Sequence, residues 1–429
     1  MVADRVWIFN SPPVEGVSSI TQYGITWTFD AKYPSGQFIN GDYWVVGPVT
    51  VTAITHPHVV GLDGSMANPI GSTTHGYDSR VGDYSSAVDV SRHLPFYMVA
   101  GTSLVSTISW VTGESGCPSE VSGIPRPSIR KGAVLTCLTS IPQTDSLRPA
   151  YAGTVKTVYR FSDINWGLLP NLSSAGISVL SFSSIQNYFK KPWIDNFINW
   201  PGADYLHPEE NLPWYGRECA TQVGDASLML CLDTLTLAQK QEIALGLIQV
   251  GIDNYWLANV GGLWPCNGGI ESGRKWPILF AGKMLNDATL NSVGFKTKTD
   301  IAWRFGEDDQ TFHVQQSDIN LVHQVGSQTP PIIDYVQGDI GLAEWGIRHY
   351  TNPEFDNKRW GADYRTDSNG VGWGGFVLAA RILGQKSNWN HDALFDYQDR
   401  YMATEPDSGY RANTKPFVAN MWDTYRAIY

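Results

Sequence analysis

Apolar residues change their spacing part-way along the chain. Up to about residue 180 they alternate with polar ones in short runs: GITWTFD (24–30), GQFINGDYWVVGPVTVTAITH (36–56), SLVSTISWV (103–111), AVLTCLTSI (133–141) and TVKTVYRF (154–161). These runs are rich in β-branched and aromatic side chains and are separated by Gly, Pro, Ser and Asp, the texture of an all-β sandwich. Asn40-Gly41-Asp42 is placed as a hairpin turn between two such runs. No helical period is visible before about residue 183.

From residue 184 apolar positions recur every three or four residues. That spacing predicts helices over 184–198, 213–232, 236–259, 275–287, 371–384, 391–403 and 415–428. The clearest is 236–259, where Thr236 is placed as an N-cap and Ile243, Leu247, Val250 and Leu257 lie near one face. The segment from about 296 to 345 is polar, contains Pro330-Pro331 and mixes periods. It reads as a long excursion with short strands or turns, of the kind that often carries function. The fold class that follows is α+β and multidomain: a β-sandwich over 1–180, then a helical domain over 181–429. Paired helices joined by glycine-rich loops would close into an α/α toroid with a cleft at one end; a plain helical bundle satisfies the same pattern.

Length changes the picture little, since 429 residues suit two domains. With 42% hydrophobic and 17% charged residues the chain is globular, and a net charge of −11 argues against a nucleic-acid partner. Seventeen Trp and twenty Tyr exceed ordinary core use. Flat amphipathic rings suit sugar faces, although most single rings are expected in the core. The five cysteines show no zinc spacing, so neither a metal nor another cofactor is expected; Cys117 and Cys137 are near enough in sequence to bridge. No run of 18 apolar residues predicts a membrane span. MVADRVWIFN has no signal-peptide pattern, which leaves the compartment open, with an extracellular or virion-associated setting compatible.

Three stretches carry candidate chemistry. In HPEENLPWYGRECATQVGDASLML (207–230), Tyr215, Glu218, Gln222 and Asp225 fall in one stripe about 80° wide on a helix. A polar stripe there faces either water or a lined cavity. His207, Asn211 and Arg217 flank it, near a helix N-terminus that favours anionic groups. In GGLWPCNGGIESGRKWPILFAG (261–282), glycines permit tight turns around Trp264, Glu271, Arg274, Lys275 and Trp276. Arg274 and Lys275 open a helix where the dipole favours the opposite charge, a cost that makes sense if they meet carboxylates, either Glu271 and a neighbouring helix or an acidic sugar. In GEDDQTFH (306–313), Glu307, Asp308 and Asp309 repel one another, which can raise one carboxyl toward general-acid behaviour. A solvated turn is the plain alternative. His391 and Asp392 read as a helix cap. GxSxG and HExxH are absent.

YPSGQFINGDYWVVGPVTV, LPWYGRECATQVGDASLML, GGIESGRKWPILFAG, GEDDQTF, EWGIRH and NWNHDALFDYQDRYM resemble a group of bacterial and viral proteins. In that group a β-sandwich precedes a helical domain similar to the α/α toroids of polysaccharide-active enzymes. The resemblance touches most of the chain and implies a polysaccharide or oligosaccharide partner. The group often carries a histidine where this chain has Ile270, so the resemblance implies that chemistry here falls to Tyr215 and the carboxylates. The leading expectation is a glycoside hydrolase with Glu271 as acid, Glu218 or Asp225 as base, and Asp308 as substitute for either. Trp264, Trp276 and Tyr215 would stack on sugar, and Arg217, Arg274 and Lys275 would grip it. One alternative is a polysaccharide lyase in which Tyr215 is the base and Asn211, Arg217 and Arg274 steady a uronate. Another is a non-catalytic glycan-binding or virion surface protein.

Overall fold

Period-two alternation in the first 140 residues sorts side chains onto two faces of one sheet. A computed structural model describes residues 14–55, 62–198, 206–211, 216–265, 267–300, 302–321, 333–358, 364–403 and 411–429. Its N-terminal strands are β1 (Val14–Gln22), β2 (Ile25–Gln37), β3 (Tyr43–Val46), β4 (Val49–Thr55), β5 (Ser65–Ala67), β6 (Phe96–Met98) and β7 (Ser103–Ser109). A small ribbon of β8 (Glu120–Val121) and β9 (Ile124–Pro125) precedes β10 (Ile129–Leu138). The main sheet runs β5-β7-β10-β3-β2-β4-β6, with β1 also paired to β2. All its pairings are antiparallel except β10 with β3, which run parallel. The hairpin at 40–42 is present: Gln37 pairs with Tyr43, and Gly41 takes φ +90°, open to glycine at little cost.

The sheet curls around Ile25, Trp27, Val45, Val51, Leu104, Leu135 and Cys137. The alternate residues Val105 and Val134 on β7 and β10 point the other way and join the core of the helical region. These two strands are therefore covered on both faces, with Ser103, Thr107, Ser109 and Thr136 buried beside the apolar residues. The apolar core continues across the 180/181 division, since Met66, Val105 and Val134 belong to the same cluster as Leu247 and Phe376. One buried cation reinforces this joint. Arg148 donates from Nε to Asp42 at 2.5 Å and from its two terminal nitrogens to Asp253 at 2.9 and 2.6 Å.

The helices are α1 (Phe182–Asn187), α2 (Gly216–Cys231), α3 (Leu237–Asn259), α4 (Lys275–Leu285), α5 (Ala288–Asn291), α6 (Val293–Thr299), α7 (Gly306–Gln310) and α8 (Gln316–Ile319). They continue as α9 (Gly370–Ile382), α10 (Lys386–Trp389), α11 (Asp392–Ala403) and α12 (Pro416–Tyr425). Thr236 does cap α3: its Oγ1 accepts from the Gln239 amide at 3.3 Å, and Gln239 Oε1 accepts from the Thr236 amide at 3.0 Å. Helices α2 and α9 meet at glycines; a Cβ on Gly224 would lie 2.9 Å from the Gly375 Cα. Strands β11 (Thr311–His313) and β12 (Ala343–Trp345) pair inside the excursion expected to hold short strands or turns.

Several expectations change. Residues 154–161 form no strand; a lone bridge joins Arg160 to Ser146, while Lys156 donates to the carbonyls of Ala150 and Tyr151 at 2.8 and 3.3 Å. The helix expected over 184–198 stops at Asn187. The chain beyond turns so that the Trp193 indole donates to the Tyr188 carbonyl at 2.9 Å. Cys117 and Cys137 are both free, Cys137 lying buried against the Met98 carbonyl. No helix among the described residues is long and apolar enough to cross a membrane.

Candidate functional site

The glycine loop at 261–275 lies directly on the start of α2. A Cβ on Gly216 would come within 2.4 Å of the Glu271 amide nitrogen, and one on Gly273 within 2.7 Å of the Ala220 Cα. Only glycine permits that approach, and Gly273 also takes φ +85°. Glu271, with a φ of +64°, holds a left-handed conformation that costs a non-glycine residue energy. The 216–218 and 268–273 segments are thus neighbours, although far apart in sequence. Tyr215 lies outside the described residues, as do 213 and 214 of the expected helix.

The two cations at the start of α4 have carboxylate partners. Arg274 is buried and donates from Nε to Asp195 at 2.8 Å; Trp264 donates from its indole to the same oxygen at 2.9 Å. Lys275 is fully buried. Its Nζ pairs with Asp308 and also donates to the Trp389 carbonyl at 2.8 Å. The unfavourable sign at this helix start is offset by acids brought from elsewhere in the fold. Neither cation is left to grip a ligand, which corrects the binding role expected of Arg274 and Lys275. Trp264 and Trp276 are also core side chains: Trp264 stacks on Phe305, and Trp276 donates to Ser227 Oγ at 2.6 Å and stacks on Trp389. With 1% and 0% exposure they offer no face to a sugar. His207 and Asn211 are buried too, Asn211 donating to the Lys191 carbonyl at 3.0 Å.

Beside α2 lies a cavity of about 560 Å³ whose lining includes Arg217, Thr221, Asp367, Asn413 and Lys415, but none of the stripe residues Glu218, Gln222 and Asp225. Glu218 is half-buried and ion-paired with Arg217, which also donates to the Asp367 carbonyl at 2.6 Å. Asp225, two turns on, is fully buried and takes a bond from Lys415 at 2.5 Å. Desolvation pushes its carboxyl up to about 6 despite that lysine. With no exposed surface, Asp225 braces Lys415, and a base acting on a substrate needs direct reach.

A second cavity, of about 480 Å³, opens beside α7 and is lined by Asp308, Asp309, Arg304, Thr311, Tyr350 and His391 among others. Here three successive acids have been driven apart. Burial tends to raise Asp308, but Lys275, His391 and the Trp389 indole, at 2.8 Å, pull it below the usual carboxylate range. Burial raises Asp309 to about 6 against the opposing pull of Arg304, which donates to it at 2.7 and 3.0 Å. Burial raises Glu307 to about 7, helped by the charge on Asp308; it faces inward, accepting from the Gly273 amide at 3.1 Å. The glycine loop therefore braces this cavity from behind, through Gly273 and Lys275.

His391 closes one wall. Its Nε2 lies 2.9 Å from both the Thr311 carbonyl and Thr311 Oγ1, and that hydroxyl donates to the Glu307 carbonyl at 2.7 Å. Nε2 therefore carries the proton, and Nδ1 accepts from Lys298 Nζ at 3.1 Å. Burial lowers its ring to about 4, so the imidazole is neutral near neutrality. Tyr350 stands at the rim, half its surface open, with the Arg304 guanidinium 4.2 Å from its ring centre. The sequence reading named Asp309 and His391 only in passing and missed Arg304, Lys298 and Tyr350. The run of three acids was the available signal; the others come together only through the fold.

No family model matches the chain, no curated protein matches it, and no solved structure matches it. Among the described residues no group of three or more His, Cys, Asp or Glu side chains is placed to hold a metal ion.

Proposed function

We propose that the chain is a glycan-cleaving hydrolase whose reaction centre is the cavity beside α7. The observation that carries this reading is the divergence of two adjacent carboxyls lining one cavity, Asp308 pulled down and Asp309 pushed up to about 6. Pairs of acids held apart in this way supply one proton donor and one proton acceptor. Asp309, protonated in mildly acidic solution, gives its proton to the departing glycosidic oxygen, and ionised Asp308 takes a proton from the attacking water. Lys275 keeps Asp308 ionised, Arg304 orients Asp309, and the open face of Tyr350 receives a sugar ring. This moves the acid–base pair from Glu271, Glu218 and Asp225 to the expected substitute, Asp308, and its neighbour. In the same reading the curled sheet is a β-sandwich module and the helical region an α/α-toroid-like scaffold.

Elimination across a uronate finds less support, because two of its three neutralising groups, Asn211 and Arg274, are buried and occupied, and the third, Arg217, is paired with Glu218. The test is a panel of neutral and acidic polysaccharides treated with the purified protein, read by new reducing ends and by ultraviolet absorbance. Hydrolysis gives reducing ends alone. Absorbing, unsaturated ends or no release from any polymer would overturn the reading.

A further inference from the structure

Among the described residues, the cavity beside α7 presents one cation that its own acids do not claim. Asp308 is paired with Lys275, Asp309 with Arg304, and Asp392 with Lys386 at 3.2 Å. Asp300, the remaining lining acid, accepts from the Ala302 amide at 2.9 Å. The lining histidines are also accounted for: His313 meets Asp396 at 3.0 Å, His349 meets Asp356 at 2.7 Å, and His391 is held on Thr311. Lys298 differs. It is exposed at the mouth, it pairs with no carboxylate among the described residues, and its Nζ is directed inward at the neutral His391 Nδ1, 3.1 Å away. A lysine ammonium has three donors, so two remain for a ligand beyond the bond to His391. As a compact point charge it suits a carboxylate or a sulfate without demanding bidentate geometry.

We propose that this cavity takes an anionic sugar unit, carboxylated or sulfated, whose charge is met by Lys298. The proposal rests on the reading of the cavity as a glycan site and adds the class of glycan. An anion held by the two remaining donors changes the charge beside the Lys298–His391 bond, so the Nδ1 environment reports occupancy.

The test uses the full chain with nitrogen-15-labelled histidine, titrated with glucuronate, glucose 6-sulfate and glucose. Binding of the two charged probes against glucose separates charge recognition from sugar recognition, and comparing them separates carboxylate from sulfate. The charged probe binds more tightly than glucose and shifts the His391 Nδ1 resonance. Lys298→Ala weakens that binding about two- to fivefold, the scale of one solvent-exposed ion pair, and Lys298→Arg retains most of it. Equal binding of charged and neutral probes, or a preference that survives Lys298→Ala, overturns the proposal. Charge-selective binding without cleavage of any polymer would sink the hydrolase reading and leave this one standing. Cleavage of glycans with no preference for charge would do the reverse.

Discussion

Replacing Lys275 with methionine removes the buried cation that faces Asp308 and keeps most of the stem that packs around it. The Nζ pairs with Asp308, donates to the Trp389 carbonyl at 2.8 Å and lies 5.4 Å from the Trp389 ring centre. Without it, the carboxylate keeps the Trp389 indole and little else on its buried side. Breaking a buried pair from one side costs about 3–5 kcal/mol, against a total stability of about 5–15 kcal/mol. Removing both charges together, as Lys275→Met with Asp308→Leu, leaves no uncompensated ion and is expected to recover most of that loss. Guanidinium unfolding followed by tryptophan fluorescence and far-ultraviolet dichroism measures both variants, with the midpoint as the observable for so large a chain. The sign with pH follows from Asp308 being held down. Its contribution is full above the ordinary carboxylate range and is lost as pH falls through the lowered folded value. The gap between wild type and Lys275→Met therefore narrows in strong acid. A single variant within about 1 kcal/mol of wild type, or a double variant as unstable as the single, would refute the reasoning.

Other consequences are as specific. In the proposed hydrolysis turnover needs Asp309 protonated and Asp308 ionised, so activity is expected to fall as pH rises through about 6 and to persist in acid below the usual carboxylate range. A pH–rate profile with no descending limb near that value would contradict the assignment. Arg148→Met leaves Asp42 and Asp253 buried without their shared cation, and a loss of about 3–5 kcal/mol in denaturant unfolding is expected; a change under about 1 kcal/mol would show the joint to be dispensable. Gly224→Ala sets a helix-propensity gain of about 1 kcal/mol against crowding of the α2–α9 contact, worth about 1–3 kcal/mol. Net destabilisation is expected, and a more stable variant would mean the helices can part freely.

What the sequence made legible was local. Thr236 announces the cap of α3, alternation in GITWTFD announces Ile25, Trp27 and Phe29 on one face, and both appear as read. Tertiary competition decided the rest. TVKTVYRF has strand composition, yet its Lys156 and Arg160 find better partners in the carbonyls and acid of the neighbouring connection. The site misreadings share a cause. Trp264, Trp276, Arg274 and Lys275 looked functional because they crowd a glycine loop, but the glycines serve close packing, and the rings and cations fill its interior. Their sign at a helix start did foretell carboxylate partners, though not that Asp195 and Asp308 would be those acids. Three adjacent acids in GEDDQTFH signalled carboxyls that differ in acidity; that Asp308 would be the one held low depended on Lys275, 33 residues away.

The central claim is that Asp308 and Asp309 act as an acid–base pair, and turnover by Asp308→Asn and Asp309→Asn tests it most directly. Once a cleaved polymer is in hand, each amide variant should keep the wild-type dichroism and lose at least about a hundredfold in kcat. A folded Asp309→Asn or Asp308→Asn protein that releases reducing ends at the wild-type rate would contradict the account.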